Sequence, residues 1–325
     1  MDLSTTYLGL RLPNPLVVGA GPLTDDLDMV RELEDAGAAA LVLRSLFEDE
    51  ITGEQMDAVL NIESHSESFA EAASYAPDSE VLPGADEYLE HLHRVKQAAG
   101  IPVIASLNAL TPEGWVWYAH LIEQAGADAI ELQMFHPASD MTTSAAEVER
   151  RAIEIVRSVK GALRIPVAVK LSPLQTAFAH FAAQLDAAGA DGLIMFTRFH
   201  HVDIDMENLE VVRTMLRSGP MQLSLRLRAT AAIAGRVKAS LAITGGVHDA
   251  ADVLKATMAG AHVTQLVSAL LLHGPDHLRT VRAGIEAWMR EHEWNALGEM
   301  RANMSLERIP DPAAYERANF RSMLS

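Results

Sequence analysis

Asp35-Ala-Gly-Ala-Ala-Ala-Leu-Val-Leu, Gln124-Ala-Gly-Ala-Asp-Ala-Ile-Glu-Leu, Ala187-Ala-Gly-Ala-Asp-Gly-Leu-Ile-Met and Met258-Ala-Gly-Ala-His-Val-Thr-Gln-Leu are four versions of one phrase. Each follows a stretch of helical period and opens an apolar run. Glycine tolerates the left-handed turn that ends a helix, so each phrase reads as helix, cap, turn and buried strand. Helix-to-strand joints repeated in this way imply parallel strands with crossover helices. Two more strands enter through proline, in Ile101-Pro-Val-Ile-Ala-Ser-Leu and Ile165-Pro-Val-Ala-Val-Lys-Leu, where proline suits a strand's first position. With 16–20 and 241–244 the predicted strands are 16–20, 39–44, 102–107, 128–134, 166–171, 191–196, 241–244 and 263–267. Their apolar character on both faces fits strands covered by helices. Alternating β/α units of this number predict a TIM (β/α)8 barrel. The rival, an open doubly wound sheet, would carry Gly-x-Gly-x-x-Gly after its first strand, and Gly19-Ala20-Gly21 is only a fragment of that.

The remaining segments attach to one domain spanning 1–325. Residues 4–14 predict a hairpin closing the barrel bottom. Residues 45–90 form a long insertion after strand two, and loops of that length are usually functional. Residues 295–325 are a C-terminal extension over the surface. The 325 residues include 26 Lys and Arg against 44 Asp and Glu, a formal net charge of −18. That balance argues against nucleic acid or an anionic membrane as partner, since both need a basic field. The chain has no cysteine, which excludes disulfides, thiolate catalysis, thiolate zinc sites and a self-held iron–sulfur cluster. No apolar run reaches the roughly 18 residues of a membrane span, and the N-terminus lacks an export signal. A cytoplasmic protein is expected.

In a TIM barrel the working residues lie at the C-terminal ends of the strands. Those positions hold Ala20 and Gly21, Arg44 and Ser45, Ser106 to Asn108, Gln133 to His136, Lys170, Thr197 and Arg198, Gly245 and Gly246, and Val267 and Ser268. The glycine pair lets backbone N–H groups come close to a ligand, and Ser268 adds a hydroxyl. The loops after strands seven and eight are this fold's usual phosphate site, so phosphate is expected there. Lys170 ends a strand that is otherwise Val-Ala-Val, and a lysine buried there needs a partner or a ligand. It suits a cation facing an electron-rich cofactor, an amine forming a Schiff base, or a side chain leaving to solvent at the rim. His200-His201-Val-Asp203-Ile-Asp205 offers metal-ligand types on one loop only; a solvated or substrate-facing loop, with no metal, is expected.

On these residues the chain resembles the dihydroorotate dehydrogenases, which are FMN-dependent TIM barrels. The likeness runs from Thr6-Tyr-Leu-Gly-Leu-Arg-Leu-Pro-Asn-Pro-Leu-Val-Val-Gly-Ala-Gly to about residue 285. Its most specific pieces are Asn14-Pro15, Ala20-Gly21, Val169-Lys170-Leu171, Thr244-Gly245-Gly246-Val247 and the stretch from Gly260-Ala261 to Ser268. The resemblance implies FMN, and oxidation of a dihydropyrimidine-type CH–CH unit (dihydroorotate to orotate, in pyrimidine biosynthesis) by proton abstraction and hydride transfer to flavin. It places Ala20 and Gly21 under the flavin ring and Lys170 at the ring edge, where its charge stabilises reduced flavin. Gly245, Gly246, Val267 and Ser268 fall on the phosphate, with Ser45, Ser106 and Gln133 beside the flavin. Arg44 stands where the family has lysine, keeping the charge but not the shape.

Departures gather on the substrate side. Asn61-Ile-Glu-Ser-His-Ser-Glu-Ser-Phe replaces an Asn-x-x-Gly-x-x-Asn pattern, and Gln133-Met-Phe-His136-Pro137-Ala138 replaces Asn-x-Ser-Cys-Pro-Asn. His136 thus takes the base position, and an imidazole with a pKa near 6.5 is a competent base. Asn61, Asn108, Thr197 and Arg198 remain as candidates for a small-molecule substrate. Without cysteine, onward electron transfer needs a redox partner protein or a soluble acceptor. The resemblance also implies a homodimer. Two alternatives stand: a Schiff-base lyase using Lys170, and a flavin-holding subunit with a changed or lost substrate site. Replacing Lys170 is expected to harm flavin reduction more than folding.

Overall fold

Thr5–Tyr7 (β1) and Leu10–Leu12 (β2) pair antiparallel, and the chain then enters a closed parallel barrel. Its strands are Leu16–Val18 (β3), Ala40–Phe47 (β4), Val103–Asn108 (β5), Ala129–Gln133 (β6), Val167–Leu171 (β7) and Gly192–Met195 (β8). A second hairpin, His201–Asp205 (β9) with Glu210–Thr214 (β10), precedes the last two barrel strands, Ser240–Thr244 (β11) and Val263–Leu266 (β12). β12 pairs back onto β3 and closes the cylinder. The structure, a computed structural model, describes residues 1–49, 51, 83–134, 139–197, 201–214 and 217–316. The eight predicted strands are the eight barrel strands.

The helices are Leu27–Asp35 (α1), Pro83–Ala98 (α2), Pro112–Gln124 (α3), Ala145–Ala162 (α4), Phe178–Ala187 (α5), Leu223–Ile233 (α6), Ala250–Ala259 (α7), Ser268–His273 (α8), His277–Glu291 (α9), Leu297–Met300 (α10) and Ala313–Glu316 (α11). Side chains of Asp26, Thr111, Ser144 and Asp249 cap α1, α3, α4 and α7 by accepting first-turn N–H groups, which a helix start leaves unpaired. The insertion after strand two is narrower than 45–90, because β4 runs to Phe47 and α2 begins at Pro83.

The repeated phrase has a mechanical reason. Its glycines Gly37, Gly126, Gly189 and Gly260 sit at φ 102°, 95°, 102° and 126°, where a side chain is disfavoured. Two residues later three copies carry an acceptor for an N–H at the start of the neighbouring strand. Asp128 accepts from Val103 at 2.6 Å, Asp191 from Val167 at 2.8 Å, and His262 Nδ1 from Leu241 at 3.0 Å. Lys96 and Lys160 pair with the two aspartates.

The first hairpin plugs the barrel bottom. Tyr7, Leu8 and Leu12 are buried against Val17, Val42, Ile104, Ala168 and Ile194 inside the cylinder. A Cβ at Gly192 would lie 2.5 Å from Leu8 Cδ2, so the plug explains the glycine in the third phrase. The extension docks beneath: Ala302, Met304 and Leu306 donate backbone hydrogen bonds to Thr257, Met258 and Ala231.

His262 adds a pH-dependent element. Burial, with a smaller push from the Arg301 guanidinium, holds its imidazole down at about 4 from an ordinary 6.5. The unfolded chain therefore binds the extra proton between those values. Its contribution is complete above pH 6.5 and is lost as pH falls towards 4, up to about 3 kcal/mol. Replacing His262 with Asn is expected to flatten that part of the profile when urea unfolding is compared at neutral and acid pH.

Candidate active site

The C-terminal ends of the barrel strands surround a cavity of about 450 Å³. Ala20, Gly21, Arg44, Ser45, Gln133, Lys170, Thr197, Gly245, Val267 and Ser268 all line it. Parallel strands bring them together because each strand delivers its last residues to the same rim.

A buried ion pair sits at the floor. Lys170 and Gln265 line the cavity, and between them, wholly buried, is Glu131. Lys170 Nζ donates to Glu131 Oε1 at 2.7 Å, and Gln265 Nε2 donates to Glu131 Oε2 at 2.8 Å. Gln265 Oε1 is buried with no partner among the described residues, an unsatisfied acceptor of the kind that functional sites retain. Tyr7, in the plug below, has its hydroxyl pushed up by burial and by the Glu131 charge.

One wall is a hydroxyl–amide set. Ser45 Oγ lies 2.8 Å from Ser106 Oγ and donates to Gln133 Oε1 at 3.2 Å. Ser106 is fully buried and supports Ser45 from behind rather than facing the cavity. A register shift between Val42 and Ser45 leaves Arg44 exposed within a buried strand, as a bulge at a barrel rim re-aims side chains. Arg44 pairs with Asp25 there.

The opposite wall is built to receive an anion. Gly245 and Gly246 both have φ of 80°, and among the described residues neither N–H has an acceptor. Arg226, 7% exposed, reaches in from α6 and donates to the carbonyls of Thr244 and Gln222. Ser268 Oγ accepts from Ser218 N and lies 3.0 Å from Ser218 Oγ. His248 Nε2 holds the Ser218 carbonyl at 2.6 Å. Gly246 does not line the cavity; a Cβ there would meet Leu223 N at 2.7 Å, so it seats the loop on α6. Unpaired amides, hydroxyls and a buried guanidinium fit a phosphoryl group. A Cβ at Gly21 would lie 3.0 Å from Val267 Cγ1, so this wall stays thin and planar ligands can approach its backbone. The residues present thus fit a flavin mononucleotide.

Several expected residues fall elsewhere. Asn108 does not line this cavity: its Nδ2 donates to the Gln133 carbonyl at 2.8 Å, and it borders a separate cavity beside α3 and α4. His136, Asn61 and Arg198 lie outside the described residues. Asp205 closes the β9–β10 turn by accepting from Glu207 and Asn208. No group of three or more metal-ligating side chains occurs among the described residues. Nor does any helix there have the length and apolarity to cross a membrane.

Glu131, Gln265, Ser218 and Arg226 were missed. Glu131 and Gln265 had a signal, being polar residues inside the apolar runs of the repeated phrase. Both lie short of the strand ends.

Residues 2–289 match the profile of the family described as Dihydroorotate dehydrogenase. The chain is 26% identical over 303 residues to a dihydroorotate dehydrogenase B (NAD(+)) catalytic subunit of Thermoplasma volcanium, covering 92% of this chain and 97% of the relative. It is 24% identical over 311 residues to the protein so named in Methanothermobacter thermautotrophicus, with 92% and 97% covered.

Proposed function

The chain belongs to the dihydroorotate dehydrogenase family, and from that premise we propose that it is an FMN-dependent oxidoreductase acting on dihydroorotate or a close dihydropyrimidine. The observation that carries this reading is the pairing, across one cavity, of a buried ammonium on the floor and a loop of unpaired amides on the wall. When bound, FMN supplies the hydride-accepting chemistry. The Gly245–Gly246 loop, Val267 and Ser268 would hold its phosphate, Ala20 and Gly21 would lie under its ring, and Lys170 would place a positive charge beside it. His136, which takes the family's base position in the sequence, would take the proton from the substrate carbon.

The Schiff-base lyase is not favoured. An attacking lysine must be a neutral amine, whereas Lys170 donates to a buried carboxylate at 2.7 Å. The relatives' names as catalytic subunits of a B-type enzyme and the absence of cysteine both support a partner protein as electron acceptor. A homodimer in the cytoplasm completes the reading.

A changed substrate is the second reading, supported by Asn108, which is spent on the Gln133 carbonyl instead of facing the cavity. Sites of this kind discriminate through paired polar groups. An anaerobic spectrum of the purified protein before and after dihydroorotate separates the two. Bleaching of an oxidised-flavin spectrum is expected; flavin that stays oxidised removes dihydroorotate as substrate.

A further inference from the structure

We propose that Glu131 is a positioning residue that sets the charge Lys170 presents to the bound flavin, and so holds the flavin's reduction potential down. The assignment rests on the FMN reading above. Lys170 borders the cavity, but Glu131 does not, so the carboxylate makes no contact with a ligand there and bears on it as the lysine's counter-charge. The carboxylate is 0% exposed, and both its oxygens are committed, one to Lys170 and one to Gln265.

A lone ammonium at the floor would act as a full positive charge on a ring that gains negative charge on reduction. With a carboxylate 2.7 Å away the floor is a neutral pair. Its field on the ring is the difference of two opposed terms rather than a single attraction. Reduced flavin is then stabilised less than a bare lysine would stabilise it. Gln265 fixes the second oxygen, so the carboxylate cannot swing away from the lysine. A potential held down in this way favours passing electrons outward, which a chain without cysteine must do to an acceptor beyond itself.

A purely structural counter-ion would stabilise the fold and leave the potential alone. The test is a spectroelectrochemical titration of FMN-loaded wild type and Glu131→Gln, which removes the charge and keeps the shape. The affinity for reduced over oxidised FMN is expected to rise at least about tenfold, equivalent to about 30 mV for a two-electron couple. The double variant Glu131→Gln/Lys170→Met leaves no charge buried and covers the case in which the single variant does not fold. Its ratio is expected within about threefold of wild type, since a neutral pair has been exchanged for neutral residues. An unchanged ratio in Glu131→Gln, or a double variant that falls at least tenfold, overturns the assignment while leaving FMN binding intact. Wild-type protein that takes up no FMN overturns the FMN reading, and the assignment with it.

Discussion

Lys170→Met is expected to remove about 3–5 kcal/mol of folding stability, because it strands a carboxylate inside the barrel. Glu131 is fully buried and has two polar partners, of which only Lys170 carries charge. Gln265 alone cannot neutralise it. Burying an unpaired carboxylate costs far more than losing one surface ion pair. Urea unfolding of the flavin-free protein measures this, and Glu131→Gln added to Lys170→Met should recover most of the loss. If the single variant is as stable as wild type, the pair is not the buried unit described here. With this ion pair, Lys170→Met is expected to harm both folding and flavin reduction, where the sequence alone put the larger harm on flavin reduction.

Gly246→Ala is expected to weaken FMN binding by about tenfold to a hundredfold, or about 1.4–2.7 kcal/mol, and to cost about 1–3 kcal/mol of stability through a strained backbone. Its φ of 80° is one that a side chain rarely adopts. The new Cβ would also sit 2.7 Å from Leu223 N and 3.1 Å from Leu223 Cα. These are backbone atoms at the start of α6 and cannot rotate away. The loop must lift, and the Gly245 and Gly246 amides move with it. Riboflavin has no phosphate, so its affinity should change little. An equal loss for both ligands would show that the loop does not serve the phosphate. The neighbouring Gly245 shares the φ of 80°, and a Cβ there would press on the Arg226 guanidinium at 3.1 Å, so Gly245→Ala is expected to weaken FMN binding as well.

The barrel was readable because its instructions are local and repeated. A glycine at positive φ followed by an apolar run marks the four helix-to-strand joints that begin at Asp35, Gln124, Ala187 and Met258. The rim residues followed from the fold's geometry, which sends strand ends to one mouth. What escaped was set by tertiary neighbours. Nothing near Glu131 in sequence announces Lys170 or Gln265, which are 39 and 134 residues away. Arg226 lies on a helix and enters the site sideways rather than from a strand end. Ser106 was placed beside the ligand because its strand position is correct, but a second serine, Ser45, stands in front of it. Asn108 looked available until the Gln133 carbonyl claimed its amide. In the same way Glu48, which reads as one of a solvated acidic run, secures the entry to α3 by accepting from Leu110 and Thr111.

The central claim is that a flavin lies over the barrel mouth with its phosphate on the Gly245–Gly246 loop. Titrating flavin-free protein with FMN and then with riboflavin, following fluorescence quenching, tests it most directly. FMN should bind at least about 100-fold more tightly, the worth of roughly 2.7 kcal/mol from amides, hydroxyls and guanidinium around one phosphoryl group. Equal affinities, or no binding of either, would contradict it.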